Sequence, residues 1–182
     1  MSGIVGDNIG RSSGLIKSAA GGGILQVKSV TKTDTESIGA FGSPQTQRVD
    51  VDDLTLDITP SSTASNILAS FQVQVGDGRD GGCQIECNST GSYIIISPPV
   101  SYSNRSPTHS GGHSRSEYEL QVWSIQILHA PAIASSINYK VTCNGGASEY
   151  VYINRTKGDQ DDLNGERGVS SLTLMEVAST AL

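Results

Sequence analysis

Gly76-x-Gly78-x-x-Gly81 has the glycine spacing of a dinucleotide-binding turn, a chemistry that needs a helix N-terminus directly behind the glycines to hold a pyrophosphate. Here a cysteine-bearing, strand-like segment follows, so an ordinary turn is expected. Gly10-x-Ser12-x-Gly14 has the letters of a nucleophile elbow, but no buried strand precedes it and nothing nearby could orient a base and an acid. Asp159, Asp161 and Asp162, followed by Asn164 and Glu166, supply oxygen ligands of the calcium-loop type. Leu163 and Gly165 break that register, which leaves a solvated acidic loop. His109 and His113 lie in a Ser-rich stretch, and two imidazoles without a fixed third ligand hold no metal within one chain. A symmetry axis could bring further ligands together. No nucleophile, base and orienting group gather anywhere, so neither an enzyme nor a cofactor or metal site is expected.

Three cysteines could form a disulfide, hold a zinc ion or sit in the core as thiols. Cys83, Ile85 and Cys87 share one face of a strand, where positions four apart lie ~13 Å from each other, beyond the ~7 Å Cα limit for a bridge. A zinc site needs four closely spaced ligands, and no second pair exists. Cys143 runs in phase with Ile137, Tyr139 and Val141, so all three are expected to be reduced core thiols, in keeping with folding in a reducing cytoplasm. Asn88-Ser-Thr, Asn104-Arg-Ser and Asn154-Arg-Thr match the glycosylation pattern, but the N-terminal residues do not read as a signal peptide, so their use is not expected.

The elements that would position these residues are strands. Val49 and Val51, then Leu54, Leu56 and Ile58, alternate with Arg48, Asp50, Asp52, Thr55 and Asp57; after a Pro-Ser-Ser-Thr break, Ile67, Ala69, Phe71, Val73 and Val75 repeat the period of two. Further strands are expected over Ile24 to Thr31, Cys83 to Cys87, Ile137 to Cys143, Tyr150 to Ile153 and Leu172 to Val177, with an apolar segment at Tyr93 to Ile96. From Tyr118 the apolar phase runs through Leu120 and Val122, then changes parity to Trp123, Ile125 and Ile127. That predicts a β-bulge at Val122-Trp123 or a strand buried on both faces. Eight or nine strands with turn punctuation indicate an all-β fold, an antiparallel β-sandwich of jelly-roll type.

The 182 residues suffice for one core, and 18 acidic against 12 basic residues give a net charge of −6 spread without blocks. Such a surface offers no footprint for nucleic acid. No run approaches the ~20 apolar residues of a membrane span, so membrane insertion is not expected either.

Two segments stand apart from the strands. Residues 1–22 form an expected attachment arm ending in a glycine hinge, with Ile4, Val5, Ile9, Leu15 and Ile16 as apolar anchors between glycines; residues 23–182 form the sandwich. The stretch from Pro98 to Ser116 is too long for a plain connection, and Tyr102, Asn104, Arg105, His109, His113 and Arg115 are its candidate host-contact residues. The excess of apolar positions on two-sided strands such as Tyr150 to Ile153 further suggests that some face a neighbouring subunit.

Gly23-Ile-Leu-Gln-Val, Lys32-Thr-Asp-Thr and the run from Val49-Asp-Val-Asp-Asp-Leu to Ser65-Asn-Ile-Leu together resemble a domain common in tailed bacteriophages, especially marine ones. Leu128-His-Ala-Pro-Ala-Ile, Tyr152-Ile-Asn-Arg-Thr and Ser171-Leu-Thr-Leu-Met-Glu-Val extend the likeness across Gly23 to Val177. The stretch from Asp77 to Ser116 departs from the pattern. The opening Met-Ser-Gly-Ile-Val-Gly-Asp-Asn resembles the start of short phage virion proteins in which an arm precedes a fibre domain. The resemblance implies a homotrimeric, non-enzymatic spike, fibre or knob in the virion, assembled in the host cytoplasm. It would be joined to a capsid or tail protein through its arm and in some cases contact a host-surface glycan or protein. A glycan-cleaving spike is the enzymatic alternative, and would need paired carboxylates ~5–9.5 Å apart.

Overall fold

The computed structural model describes residues 23–39, 41, 47–76, 80–98, 107–112, 116–161 and 165–178. Every regular element among them is a strand: β1 (Ile24–Lys32), β2 (Glu36–Ile38), β3 (Val49–Ile58), β4 (Asn66–Gly76), β5 (Gly81–Cys87), β6 (Ile94–Ile95), β7 (Ser110–Gly112), β8 (Leu120–His129), β9 (Ile137–Asn144), β10 (Val151–Ile153) and β11 (Ser170–Val177). All pairings between these strands are antiparallel, and they form two sheets. In the first, β4 is central: β8 pairs along its whole length on one side, while β11 and then β10 share the other, with β1 outside β11 and β2 outside β10. The second runs β3-β9-β5, with β6 and β7 docked in succession along the free edge of β5.

Period-two burial explains the layers. Ile67, Ala69, Phe71, Val73 and Val75 of β4 point inward with Trp123, Leu172 and Leu174. They meet Val51, Leu54, Ile58, Ile85, Ile137, Tyr139 and Val141 from the second sheet in one continuous core. The layers also touch at their edges. Lys28 Nζ donates to the Asp57 carbonyl at 2.7 Å, and Gln26 Nε2 to that of Thr59 at 2.7 Å, so β1 leans on β3. On the opposite side the Ser124 N–H donates to Ser110 Oγ at 3.2 Å, joining β8 to β7.

Two expectations are corrected. β8 pairs with β4 without a register shift from Leu120 to His129: Trp123 is buried and Val122 simply faces out, 52% exposed, so neither a bulge nor two-sided burial occurs at Val122-Trp123. The second-sheet bulge lies instead in β3, between Asp50 and Thr55, where Asp53 takes φ 62° and moves the buried face from Val51 to Leu54. The cysteines are not all reduced: Cys83 and Cys143 face each other directly on β5 and β9, with Cα atoms 4.3 Å apart, and form a disulfide. The phase argument put both in the core correctly, but it could not show that their strands are neighbours in register. Cys87, four residues along, stays a buried free thiol.

A seam on β4 needs its own hydrogen bonds, because β11 stops pairing at Gln72 and β10 starts at Val75. Asn154, wholly buried and at φ 60°, fills it. Its N–H donates to the Gln74 carbonyl at 2.9 Å, its Nδ2 to the carbonyls of Lys32 and Asp34 at 2.9 Å each, and its Oδ1 accepts from Ser170 Oγ at 2.6 Å. Ser170 Oγ in turn accepts the Gln74 N–H at 3.0 Å. With its amide fully engaged in the core, Asn154 presents nothing to a glycosylating enzyme. Beside the seam the buried Lys32 ammonium meets Asp34 at 3.0 Å and Glu36 at 3.5 Å. Burial alone would lower its pKa; pairing with the two carboxylates outweighs that and raises it.

Candidate functional site

The outward positions of the first sheet can be read strand by strand from the register. They are Val27, Ser29 and Thr31 on β1; Ser171, Thr173, Met175 and Val177 on β11; Asn66, Leu68, Ser70, Gln72 and Gln74 on β4; and Val122, Ser124, Gln126 and Leu128 on β8. None is charged. Hydroxyls and amides fill the middle, and Ser29 Oγ and Thr173 Oγ1 bond to each other at 2.9 Å. Toward one end Val27, Met175, Leu68 and Leu128 line up across all four strands, with Val27 54% and Leu128 56% exposed. Ile24 and Leu25 add exposed apolar surface at the same end, where the Ala178 N–H donates to the Gly23 carbonyl at 2.9 Å.

The outer face of the second sheet has the opposite character. Lys140 Nζ pairs with Asp50 Oδ1 at 2.6 Å and lies 3.9 Å from the centre of the Tyr93 ring, Arg48 pairs with Glu86, and Asp57 accepts from the Asn138 amide. The two faces thus differ in kind: one is studded with ion pairs, while the part of the other formed by β1, β11, β4 and β8 could be covered without stranding a charge.

Of the anticipated site residues, Ile4, Val5, Ile9, Leu15 and Ile16, and likewise Tyr102, Asn104, Arg105, His113 and Arg115, lie outside the described residues. His109 is described, and its ring is turned into the protein. Nδ1 accepts the Ile85 N–H at 3.1 Å while Nε2 donates to the Ile96 carbonyl at 2.8 Å. The ring fills the gap between β6 and β7, where Ile85 would otherwise lack an acceptor. Burial holds the imidazole below its usual pKa, in keeping with an Nδ1 that must accept. Ile96 and His109 are tied to β5 through their backbones as well, the Ile96 N–H donating to the Ile85 carbonyl and the His109 N–H to the Cys83 carbonyl, both at 3.1 Å.

A second surface cluster, anticipated from sequence only as a two-sided strand facing a neighbouring subunit, stands at the other end of the first sheet's outer face. Tyr150, just before β10, and Tyr152, on it, have ring centroids 6.2 Å apart, and the Arg155 guanidinium lies 4.4 Å from the Tyr152 centroid. The alternation of Tyr150 and Tyr152 about a buried Val151 was the available signal. Among the described residues no cluster of three or more metal-ligating side chains occurs, and no helix is long and apolar enough to cross a membrane.

No protein-family model matches the chain, and no curated protein does. Solved structures similar to it include that of infectious bursal disease virus, Gx strain, at 10% identity and a TM-score of 0.40, covering 86% of this chain and 37% of that one. The Gt strain structure matches at 9% and 0.39, and a mutant VP2 protein of the same virus, in derived T=1 particles, at 11% and 0.40. The chain spans less than two fifths of the length of these viral chains.

Proposed function

We propose that this chain is a virion structural protein without catalytic activity. It assembles as a homotrimer through the uncharged outer face of the first sheet, and joins a phage capsid or tail protein through the segment that precedes Gly23. The observation that carries this reading is the apolar row Val27, Met175, Leu68 and Leu128, exposed at its two ends and half-buried between, set among the uncharged outward positions of β1, β11, β4 and β8 at the end where the chain enters β1. Four strands ~4.8 Å apart and about eight residues long at ~3.3 Å each present roughly 500 Å² in flat projection. Side-chain relief brings this toward the ~800 Å² per partner of a standard interface. A second copy is the occupant best suited to it, because an uncharged contact adds neither like-charge juxtaposition nor buried charge to the repulsion between copies of net charge −6. The threefold order and the phage setting come from the sequence resemblance.

Native mass spectrometry tests the assembly, with an expected mass three times the 19.0 kDa of one chain. The double variant Val27→Asp, Leu128→Asp alters only half-exposed side chains and should run as a folded monomer. A wild-type protein that is monomeric at micromolar concentration refutes the reading.

A second reading, host contact, is favoured by the excursion from β6 to β7. The described residues on either side of it, Ile96 and His109, are both hydrogen-bonded to β5, which supports reading Pro98 to Ser116 as a binding segment held on a scaffold. Both roles fit in one molecule.

A further inference from the structure

We propose that the aromatic ledge at the β10–β2 corner is a glycan-binding site, taking a pyranose ring on the face of Tyr150 and an acidic sugar substituent at Arg167. The ledge is a built surface. Gly39 lies directly beneath Tyr150, where a Cβ would come within 2.1 Å of the ring, so the phenol is seated flat on backbone while the residue stays 45% exposed. Tyr152 continues the ledge at an interplanar angle of 23°, and the largely covered Arg155 guanidinium closes it from the far side. Beyond Arg155 the polar rim begins. Asp159 Oδ2 lies 3.6 Å from Arg155 Nη1, and its other oxygen pairs with Arg167, whose side chain is 54% exposed.

The chemistry suits a carbohydrate better than a peptide or lipid. A pyranose presents a flat C–H face to an aromatic ring, whose electron-rich face attracts it, and a rim of hydroxyls that needs planar donors and acceptors alongside. Tyr150 supplies the first, Asp159 and Arg167 the second. Arg167 keeps about half of its side chain exposed beside Asp159, so its guanidinium can be reached by the carboxylate of a uronate, a contact that a neutral sugar lacks. The ledge pairs with β4 at Gly76, whereas the apolar row crosses it at Leu68, so a subunit can be attached at one end and meet a cell surface at the other.

Saturation-transfer difference NMR with oligogalacturonate and, in parallel, dextran oligosaccharides of equal length tests this on the full chain. Transfer to the C–H protons of the uronate is expected, at least tenfold weaker in Tyr150→Ala, retained in Tyr150→Phe, and weakened in Gly39→Ala, whose added methyl lifts the ring. Arg167→Ala should reduce uronate binding several-fold and leave dextran unchanged. Absence of transfer from both sugars, or transfer that survives Tyr150→Ala in a variant with native circular dichroism, overturns the proposal. Neither outcome depends on oligomer mass, so the assembly reading stands or falls separately.

Discussion

Replacing Asn154 should destabilise the fold by an amount that follows from the bonds its side chain makes. Asn154→Ala removes two bonds from Nδ2, to the Lys32 and Asp34 carbonyls, and one from Ser170 to Oδ1. At ~1 kcal/mol net each they come to about 3 kcal/mol. Alanine at φ 60° adds roughly 1 kcal/mol of left-handed strain that asparagine tolerates better. The total of about 4 kcal/mol corresponds to a fall in Tm on the order of 10 °C for a domain of this size. Asn154→Gly loses the same bonds without that strain, so urea unfolding of the pair separates the two contributions. Asn154→Asp should be the worst of the three, since it sets carboxylate oxygens against two carbonyls that have lost their donor. An Asn154→Ala protein within 1 kcal/mol of wild type would mean that the seam between β10 and β11 is not held by this side chain.

Two further outcomes are expected. The Cys83–Cys143 bridge closes a loop with a sequence separation of 60, worth about 4 kcal/mol in the chain-entropy account. Unfolded, unreduced protein should therefore expose one reactive thiol, Cys87, rather than three, and reduction should lower the urea midpoint accordingly; three reactive thiols in both samples would rule the bridge out. Glu176, buried on β11, would be raised in pKa by burial, but the hydrogen bonds of Ser61, Ser65 and Gln26 to its carboxylate prevail and hold it at about 2. Because the folded value lies below the unfolded one, the stabilisation is complete above about pH 4.5 and is lost as pH falls through about 2. Acid titration of stability should flatten in Glu176→Gln over that window, and an unchanged acid slope would exclude this carboxylate as its source.

Most of the layer structure was legible because burial with a period of two needs only the chain itself. β4, β9 and β11 follow their apolar alternation closely. Where consecutive residues broke the alternation, the same signal had two physical origins. Asp52-Asp53 between Val51 and Leu54 marks a true bulge, because a left-handed Asp53 inserts one residue into β3; Val122-Trp123 marks only an apolar residue left on the outer face of β8. Pattern alone cannot separate them, since the difference lies in the partner strand. The same limit hid the disulfide, the place of His109 beside β5, and the uncharged face, each of which requires knowing which strands are neighbours. Short elements such as β2, β6 and β7 carry too few residues for any period and exist because β10 and β5 offer them free edges.

The bond from Ala178 to Gly23 and the pairing of β1 with β11 bring the entrance and exit of the sandwich together at one pole. A body whose two leads emerge side by side behaves as a cassette: it can be spliced into a host loop or fused at either lead without threading a linker around it. Pulling on both leads would unzip β1 from β11 one rung at a time, whereas tension between one lead and the opposite pole would shear the rungs together. The sandwich should therefore resist force far better when loaded along its length than when its leads are drawn apart.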